Sequence, residues 1–386
     1  MQTRRTGVWL IGSRGSVATT TITGAAAIAA GLAPATGVVT ATPPFADAGL
    51  PGIGDLVFGG HDLVETPLAV RAARLVDGGV IPPGIPEAVA AQLAAAEAEM
   101  RSGISFREAR TDPRAAIRRV AADLRAFREH QGLERVVVLN LCSTEPPAEP
   151  HPAHEDADAL TAALDRGLGI LPPSSLYALA AIEEGCAFVD FTPSTGARLP
   201  AIEALAEAHD VPLGGSDGKT GETLMKSAVA PMFSARALRV RSWAGSNLLG
   251  GGDGEALADP VRAQSKINSK GRILDEILGY SVEAPVRIDC VRDLGEWKTA
   301  WDHIQFEGFL GVRMKLQFTW EGCDSALAAP LLIDLARLSA LALDRGERGF
   351  VRELAFFFKD PAGTEVHALD RQFAMLERWA LQEIAA

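Results

Sequence analysis

The chain has 386 residues, 47% hydrophobic and 22% charged, enough for one large or two moderate domains with a full core and too apolar for a disordered chain. Its 37 Lys and Arg stand against 49 Asp and Glu, a net charge of −12, which argues against non-specific binding to nucleic acid or an anionic membrane but allows a local basic pocket for a small anion. The four cysteines, at 142, 186, 290 and 323, form no CxxC and no Cys/His cluster, so reduced thiols in a cytoplasm are expected rather than a zinc site or disulfide frame.

Arg4 and Arg5 precede an apolar stretch that breaks at Arg14, which does not make a secretory signal, and no run of eighteen apolar residues suggests a membrane span. Apolar strand-like runs alternate with helical stretches, the pattern of an α/β protein. Residues 7–11 read as a buried strand, 12–15 as a turn, and 16–30 as a helix of small residues. Residues 38–40 read as a second strand and the Gly/Pro/Asp-rich 42–65 as a long loop. Residues 86–130 read as helical, and 136–141 as a buried strand of the parallel type. A further strand at 186–191 ends in Thr192-Pro193-Ser194. A short helix covers 202–209, and a glycine-rich loop at 214–221 leads into a helix from Glu222. Strand-like runs at 286–291 and 311–320 flank lysine-bearing segments. Residues 325–343 form an apolar helix and 367–384 an amphipathic one.

Two places carry chemistry. The turn Gly12-Ser13-Arg14-Gly15-Ser16-Val17, between strand and helix, has the layout of a dinucleotide-binding βα unit, in which helix N–H groups meet a pyrophosphate. Arg14 stands where a second glycine is usual and Ala18 where a third is, and no acid follows the expected second strand to hold a ribose. A plain βα turn is the competing reading. Arg14 either adds a charge-assisted contact to the pyrophosphate or selects a 2′-phosphate.

The second place lies between 214 and 360. Residues 214–223 offer backbone N–H groups, hydroxyls and Lys219 at a helix start, a phosphate cradle without P-loop spacing. Residues 247–253 read as a flexible loop with Asn247 and Asp253. Lys266 and Lys270, at i and i+4, share a helix face, where mutual repulsion favours an anion or a lowered pKa. Lys298 sits between two tryptophans, and Lys359 follows three phenylalanines. The plainer reading is a solvated helix face for the first two and a lysine snorkelling from a core strand for Lys359.

In order and spacing these segments resemble the inositol-1-phosphate synthase family, over nearly the whole chain and closest to its short archaeal and bacterial forms. Carrying the likeness are Trp9 to Gly12 with Gly15 to Thr21, Phe58-Gly59-Gly60-His61, Ser143-Thr144-Glu145-Pro146, Phe191 to Ser194 and Asp217 to Thr223. Asn247 to Asp253, Ser265 to Lys270, Lys298-Thr299-Ala300, Ala328-Ala329-Pro330 and Phe356 to Lys359 complete it.

The resemblance implies an NAD-dependent cyclitol-phosphate synthase. It would convert D-glucose 6-phosphate to 1D-myo-inositol 3-phosphate by oxidation at C5, enolisation, aldol closure and re-reduction. It implies a Rossmann-like doubly wound parallel sheet over 1–235, completed by 331–386. An α+β catalytic and oligomerisation domain would cover 236–330, in a cytoplasmic homotetramer. By the same resemblance Lys266, Lys270, Lys298, Lys359, Asp217 and Asp253 are catalytic. Thr220, Gly221, Glu222, Thr223, Asn247 and Leu249 bind substrate. Gly12 to Val17, Ser143, Thr144, Thr192 and Asp217 bind the cofactor, and Asp324 binds a divalent metal or monovalent cation. Ser246 replaces the family's usual aromatic residue, and Gly251 and Gly252 replace larger ones. A paralogue closing another hexose phosphate, such as fructose 6-phosphate, into a different and even five-membered ring therefore stays open, as does a non-catalytic sensor of NAD or sugar phosphate.

Overall fold

A computed structural model describes residues 5–250 and 273–382. The chain divides into two compact units, 1–218 with 329–363 and 377–386, and 219–328 with 364–376.

The first unit is built on seven strands: β1 (Thr6–Ile11), β2 (Leu56–Asp62), β3 (Met100–Ser102), β4 (Arg135–Asn140), β5 (Ala187–Asp190), β6 (Pro212–Gly215) and, after the second unit's strands, β11 (Gly349–Phe350). They form one parallel sheet in the order β11-β6-β5-β4-β1-β2-β3. Read from β3 to β6 this is the 3-2-1-4-5-6 order of a dinucleotide-binding sheet, with its switch point between β1 and β4. Val8 to Ile11 and Val136 to Leu139 are buried, as a sheet covered on both faces requires. The helix Ser16–Ala29 packs closely because its residues are small, and Thr20, Thr21 and Thr23 turn their hydroxyls back onto carbonyls four residues earlier.

Three expectations fail here. Residues 38–40 are not a strand: Val39–Ala41 is a 3-10 turn, because buried Asp334 accepts the N–H groups of Val39 and Thr40 and the Thr40 hydroxyl, which takes those donors from any ladder. The second strand is Leu56–Asp62, inside the expected loop. Its glycines look like loop residues but serve close packing: Trp9 lies across Gly59, and a Cβ at Gly60 would overlap the carbonyl of Leu10. The helical reading of 86–130 is also interrupted, by β3.

The second unit carries β7 (Arg239–Leu249), β8 (Val286–Cys290), β9 (Trp297–Glu307) and β10 (Arg313–Cys323), in the order β10-β9-β7-β8. β9 is antiparallel to both β7 and β10. Phe233, from the helix Gly221–Ala235, joins Trp243 and Ile304 of the sheet in the unit's core. That helix belongs to this unit, so the break between units falls at 218 where 235 was expected. Asn247 and Leu249, expected in a loop, lie on β7, with Ala300 and Lys298 as their register partners on β9. The triplet of glycines that follows hides the end of this strand in the sequence.

The helix Asp324–Asp344 is long and apolar enough by composition to cross a membrane, contrary to the expectation that no segment would be. Here it is a core helix, with Leu332, Leu335 and Leu338 fully buried. Residues 352–357 form a 3-10 helix, so Lys359 follows a turn and not a core strand.

Candidate active site

At the switch point of the first sheet, Gly12 and Ser13 donate their N–H groups to the carbonyl of His61, which joins the turn to the end of β2. Gly12 has φ +86°, and a Cβ there would lie 3.2 Å from the backbone of Leu141, where the chain leaves β4. The turn is thus shaped by backbone approach. Gly15 is the N-cap of helix Ser16–Ala29 and offers no side chain to cap it. Ser143 and Thr144 follow β4 and Thr192 follows β5, all beyond the carboxyl ends of the strands. These features fit a dinucleotide: a glycine turn, a helix start with no side-chain cap, and polar residues beyond the strand ends at the switch point. Nearby, Asn140 Nδ2 donates to Asp190 Oδ1 at 2.7 Å, and burial pushes the Asp190 carboxyl up to about 7.

Asp62, which ends β2, was missed by sequence reasoning because β2 was. It stands where an acid holds the adenosine ribose in this fold. Its Oδ2 accepts the N–H of Arg14 at 2.7 Å. Arg14 itself turns its guanidinium to Glu97, 2.6 Å away.

Asp217 lies in the left-handed region, φ +62°, held by its own N–H on the Thr192 carbonyl and by the N–H of Lys359 on its carbonyl. Lys359 Nζ donates to Asp217 Oδ1 at 2.9 Å. The structure thereby brings together Thr192, Asp217 and Lys359, all in the first unit. A non-glycine residue fixed in this conformation points to a functional position.

In the second unit, Thr220-Gly221-Glu222-Thr223 open the helix Gly221–Ala235. The Thr220 hydroxyl donates to Asp324 Oδ1 at 2.8 Å, and Lys298 Nζ forms an ion pair with the same oxygen. Lys298 Nζ lies 2.7 Å from where a Cβ on Gly221 would be, so the lysine sits over the helix start. Below it, Glu222 pairs with the fully buried Lys226 at 2.8 Å and accepts from Asn247 Nδ2 at 2.7 Å. Lys226 stands four residues after Glu222, a helical pairing signal that was legible but unread. Trp243 Nε1 donates to buried Asp302 at 2.7 Å. Lys219 is also buried, donating to Gln372, and burial pushes its ammonium down to about 7.

Asp324 does not have the surroundings expected of a cation ligand. A lysine ammonium and a hydroxyl share its Oδ1. Among the described residues the one group of three side chains able to hold a metal is Glu276, Glu365 and His367. Lys266, Lys270 and Asp253 lie outside the described residues.

Sheet order and glycine turn define an α/β protein of the Rossmann type, here with a second unit that sets lysine and threonine at a helix start. The chain belongs to the myo-inositol-1-phosphate synthase family, whose model, designated as NAD-binding, matches residues 6–380. This is an enzyme family. The chain is 34% identical to inositol-3-phosphate synthase 1 of Bacteroides thetaiotaomicron, over 93% of the chain and 90% of that relative. It is 32% identical to the human inositol-3-phosphate synthase 1, over 84% of the chain, and there spans 63% of the relative's length. The crystal structure of the Caenorhabditis elegans inositol-3-phosphate synthase shares the fold with a TM-score of 0.84 at 24% identity, covering 98% of this chain and 86% of that one.

Proposed function

We propose that the chain closes D-glucose 6-phosphate to 1D-myo-inositol 3-phosphate, a reaction that is redox-neutral overall. The hydride exchange at C5 of the sugar, out before closure and back after it, is the chemistry that bound NAD would supply. Gly12 to Val17, Ser143, Thr144, Thr192 and Asp217 would hold it, with Asp62 on the adenosine ribose.

The protein's own groups handle protons and charge. A proton leaves C6, C6 attacks C1, and oxyanions at C5 and C1 need cations beside them. The observation that carries the reading is the cradle at the start of helix Gly221–Ala235, where Thr220 and Lys298 meet on Asp324. Its N–H groups and the Thr220 and Thr223 hydroxyls suit the sugar phosphate. Lys298 and Lys359, each held beside a carboxylate, are assigned to stabilising oxyanions. Lys266, Lys270 and Asp253 complete the set by family resemblance, with Lys270 on the phosphate side. Asn247 and Leu249 contact the sugar. No metal step is included, since Asp324 is engaged by Lys298.

Self-association accompanies this reading. Trp301 and, on the β9–β10 turn, Phe309 and Leu310 are exposed, and such apolar surface supports a contact of this sheet with another copy in a homotetramer.

The test incubates the protein with NAD⁺ and glucose, fructose or mannose 6-phosphate and follows phosphorus NMR. Conversion of glucose 6-phosphate to inositol phosphate without net NADH is expected. Turnover of fructose 6-phosphate alone would replace the substrate assigned here, and tight NAD⁺ binding without any turnover would make the protein a sensor.

A further inference from the structure

We propose that Glu97 sets the cofactor choice of this protein: by holding Arg14 it makes the nucleotide site accept NAD⁺ and refuse NADP⁺. The inference rests on the NAD-binding reading above and concerns which adenosine ribose that site admits.

At the carboxyl end of the second strand of such a sheet, an acidic side chain reads the two ribose hydroxyls, whereas an arginine accommodates a 2′-phosphate. This chain has both. Asp62 ends β2, with Oδ2 on the Arg14 N–H at 2.7 Å and Oδ1 on the Val64 N–H at 2.8 Å. Arg14 lies in the glycine turn itself, and Arg71 Nε fixes its carbonyl at 3.2 Å. Left alone, its guanidinium would be a ready 2′-phosphate receptor.

Glu97 removes that option. Its Oε1 lies 2.6 Å from Arg14 Nη2, and its Oε2 accepts the N–H of Leu68, the first residue of helix Leu68–Asp77, at 2.6 Å. The carboxylate is thus anchored on one side by a helix start, where negative charge is favoured, and on the other by the arginine. The pair is largely shielded, with side-chain exposures of 16% for Arg14 and 30% for Glu97. A 2′-phosphate entering beside Asp62 would meet a second carboxylate and an arginine already engaged. A ribose 2′-hydroxyl meets an acceptor.

The test measures dissociation constants of NAD⁺ and NADP⁺ by titration calorimetry on the full chain, at one ionic strength, for wild type, Glu97→Gln, Arg14→Leu and the double variant. Glutamine keeps an acceptor for the Leu68 N–H and removes only the charge. Wild type should prefer NAD⁺. In Glu97→Gln the preference should narrow about tenfold or more, the scale of one charge-assisted contact, through tighter NADP⁺ binding. In the double variant the narrowing should vanish. Arg14→Leu alone should shift both nucleotides together through the turn and leave the NAD⁺/NADP⁺ preference within about threefold of wild type, because Arg14 gives the 2′-phosphate nothing while Glu97 holds it. An unchanged preference in a folded Glu97→Gln protein overturns the proposal. So does narrowing that persists without Arg14, or a roughly tenfold change of the NAD⁺/NADP⁺ preference in Arg14→Leu. Wild type that binds neither nucleotide removes the NAD-binding reading itself, an outcome separate from tight NAD⁺ binding with an unmoved ratio.

Discussion

The two units prepare for ligands by different physical means. In the first, the turn after β1 is shaped by backbone: Gly12 against Leu141, Gly60 against Leu10, and N–H groups drawn to the His61 carbonyl. In the second, side-chain charges are set in pairs, Lys298 with Asp324 and Lys226 with Glu222. The cofactor proposed to stay through the cycle would be served by fixed shape. A reaction that moves protons and builds oxyanions needs charges held in place before it starts. Removing a charge from the second unit should therefore hurt its work and spare nucleotide binding, and removing space from the first unit's turn should do the reverse.

The largest effect is expected for Lys298→Ala. Loss of a positioned cation or proton carrier typically costs ~10²–10⁴-fold in rate, while NAD⁺ affinity should stay within about threefold. A variant that kept more than a tenth of wild-type kcat would take Lys298 out of the chemistry. Next, Lys226→Met strands the buried Glu222 carboxylate and should cost about 3–5 kcal/mol in urea unfolding, with Lys226→Met/Glu222→Gln recovering most of it. Equal losses in the single and double variants would mean that the charge pair is not what matters there.

Gly60→Ala tests the other side of the comparison. A methyl against the Leu10 carbonyl should cost about 1–3 kcal/mol and weaken NAD⁺ binding by moving the end of β2. Unaltered NAD⁺ affinity would show that the turn does not depend on this close approach.

The smallest effect concerns Lys219. Burial pushes it down to about 7, whereas the unfolded chain keeps the ordinary value of 10.5. Between those limits the unfolded state binds more protons, so this group makes stability rise with pH. From pH 7 to 8 the melting temperature of wild type should gain about 1–2 °C on Lys219→Met, as expected for about 1 kcal/mol in a chain of this size. Parallel curves would mean that Lys219 keeps its charge in the folded protein.

How much of this was legible depends on the kind of signal. β1, β4 and β5 were readable because strands buried on both faces are continuous apolar runs. β2 was not, because it is built of Gly-Gly-His-Asp, whose reason lies in Trp9 and Leu10 on the neighbouring strand. With β2 went Asp62 and the sense that the nucleotide turn has an acid beside it. Asn247 and Leu249 were singled out but placed in a loop, since glycines after them masked the end of β7. Lys226 was passed over although Glu222 stood four residues before it.

By itself the sequence determined the α/β class and the glycine turn, which are written in residue type and spacing that local physics reads directly, and the family, through the resemblance its segments carry in order. Only the tertiary structure decided which charges meet. Arg14 belongs to Glu97, Lys359 to Asp217, Lys298 to Asp324 and Asp334 to Thr40, partners 26 to 294 residues apart in sequence. Such pairings follow from sheet order and helix packing, which bring distant side chains to one point, and no local pattern in the chain encodes them.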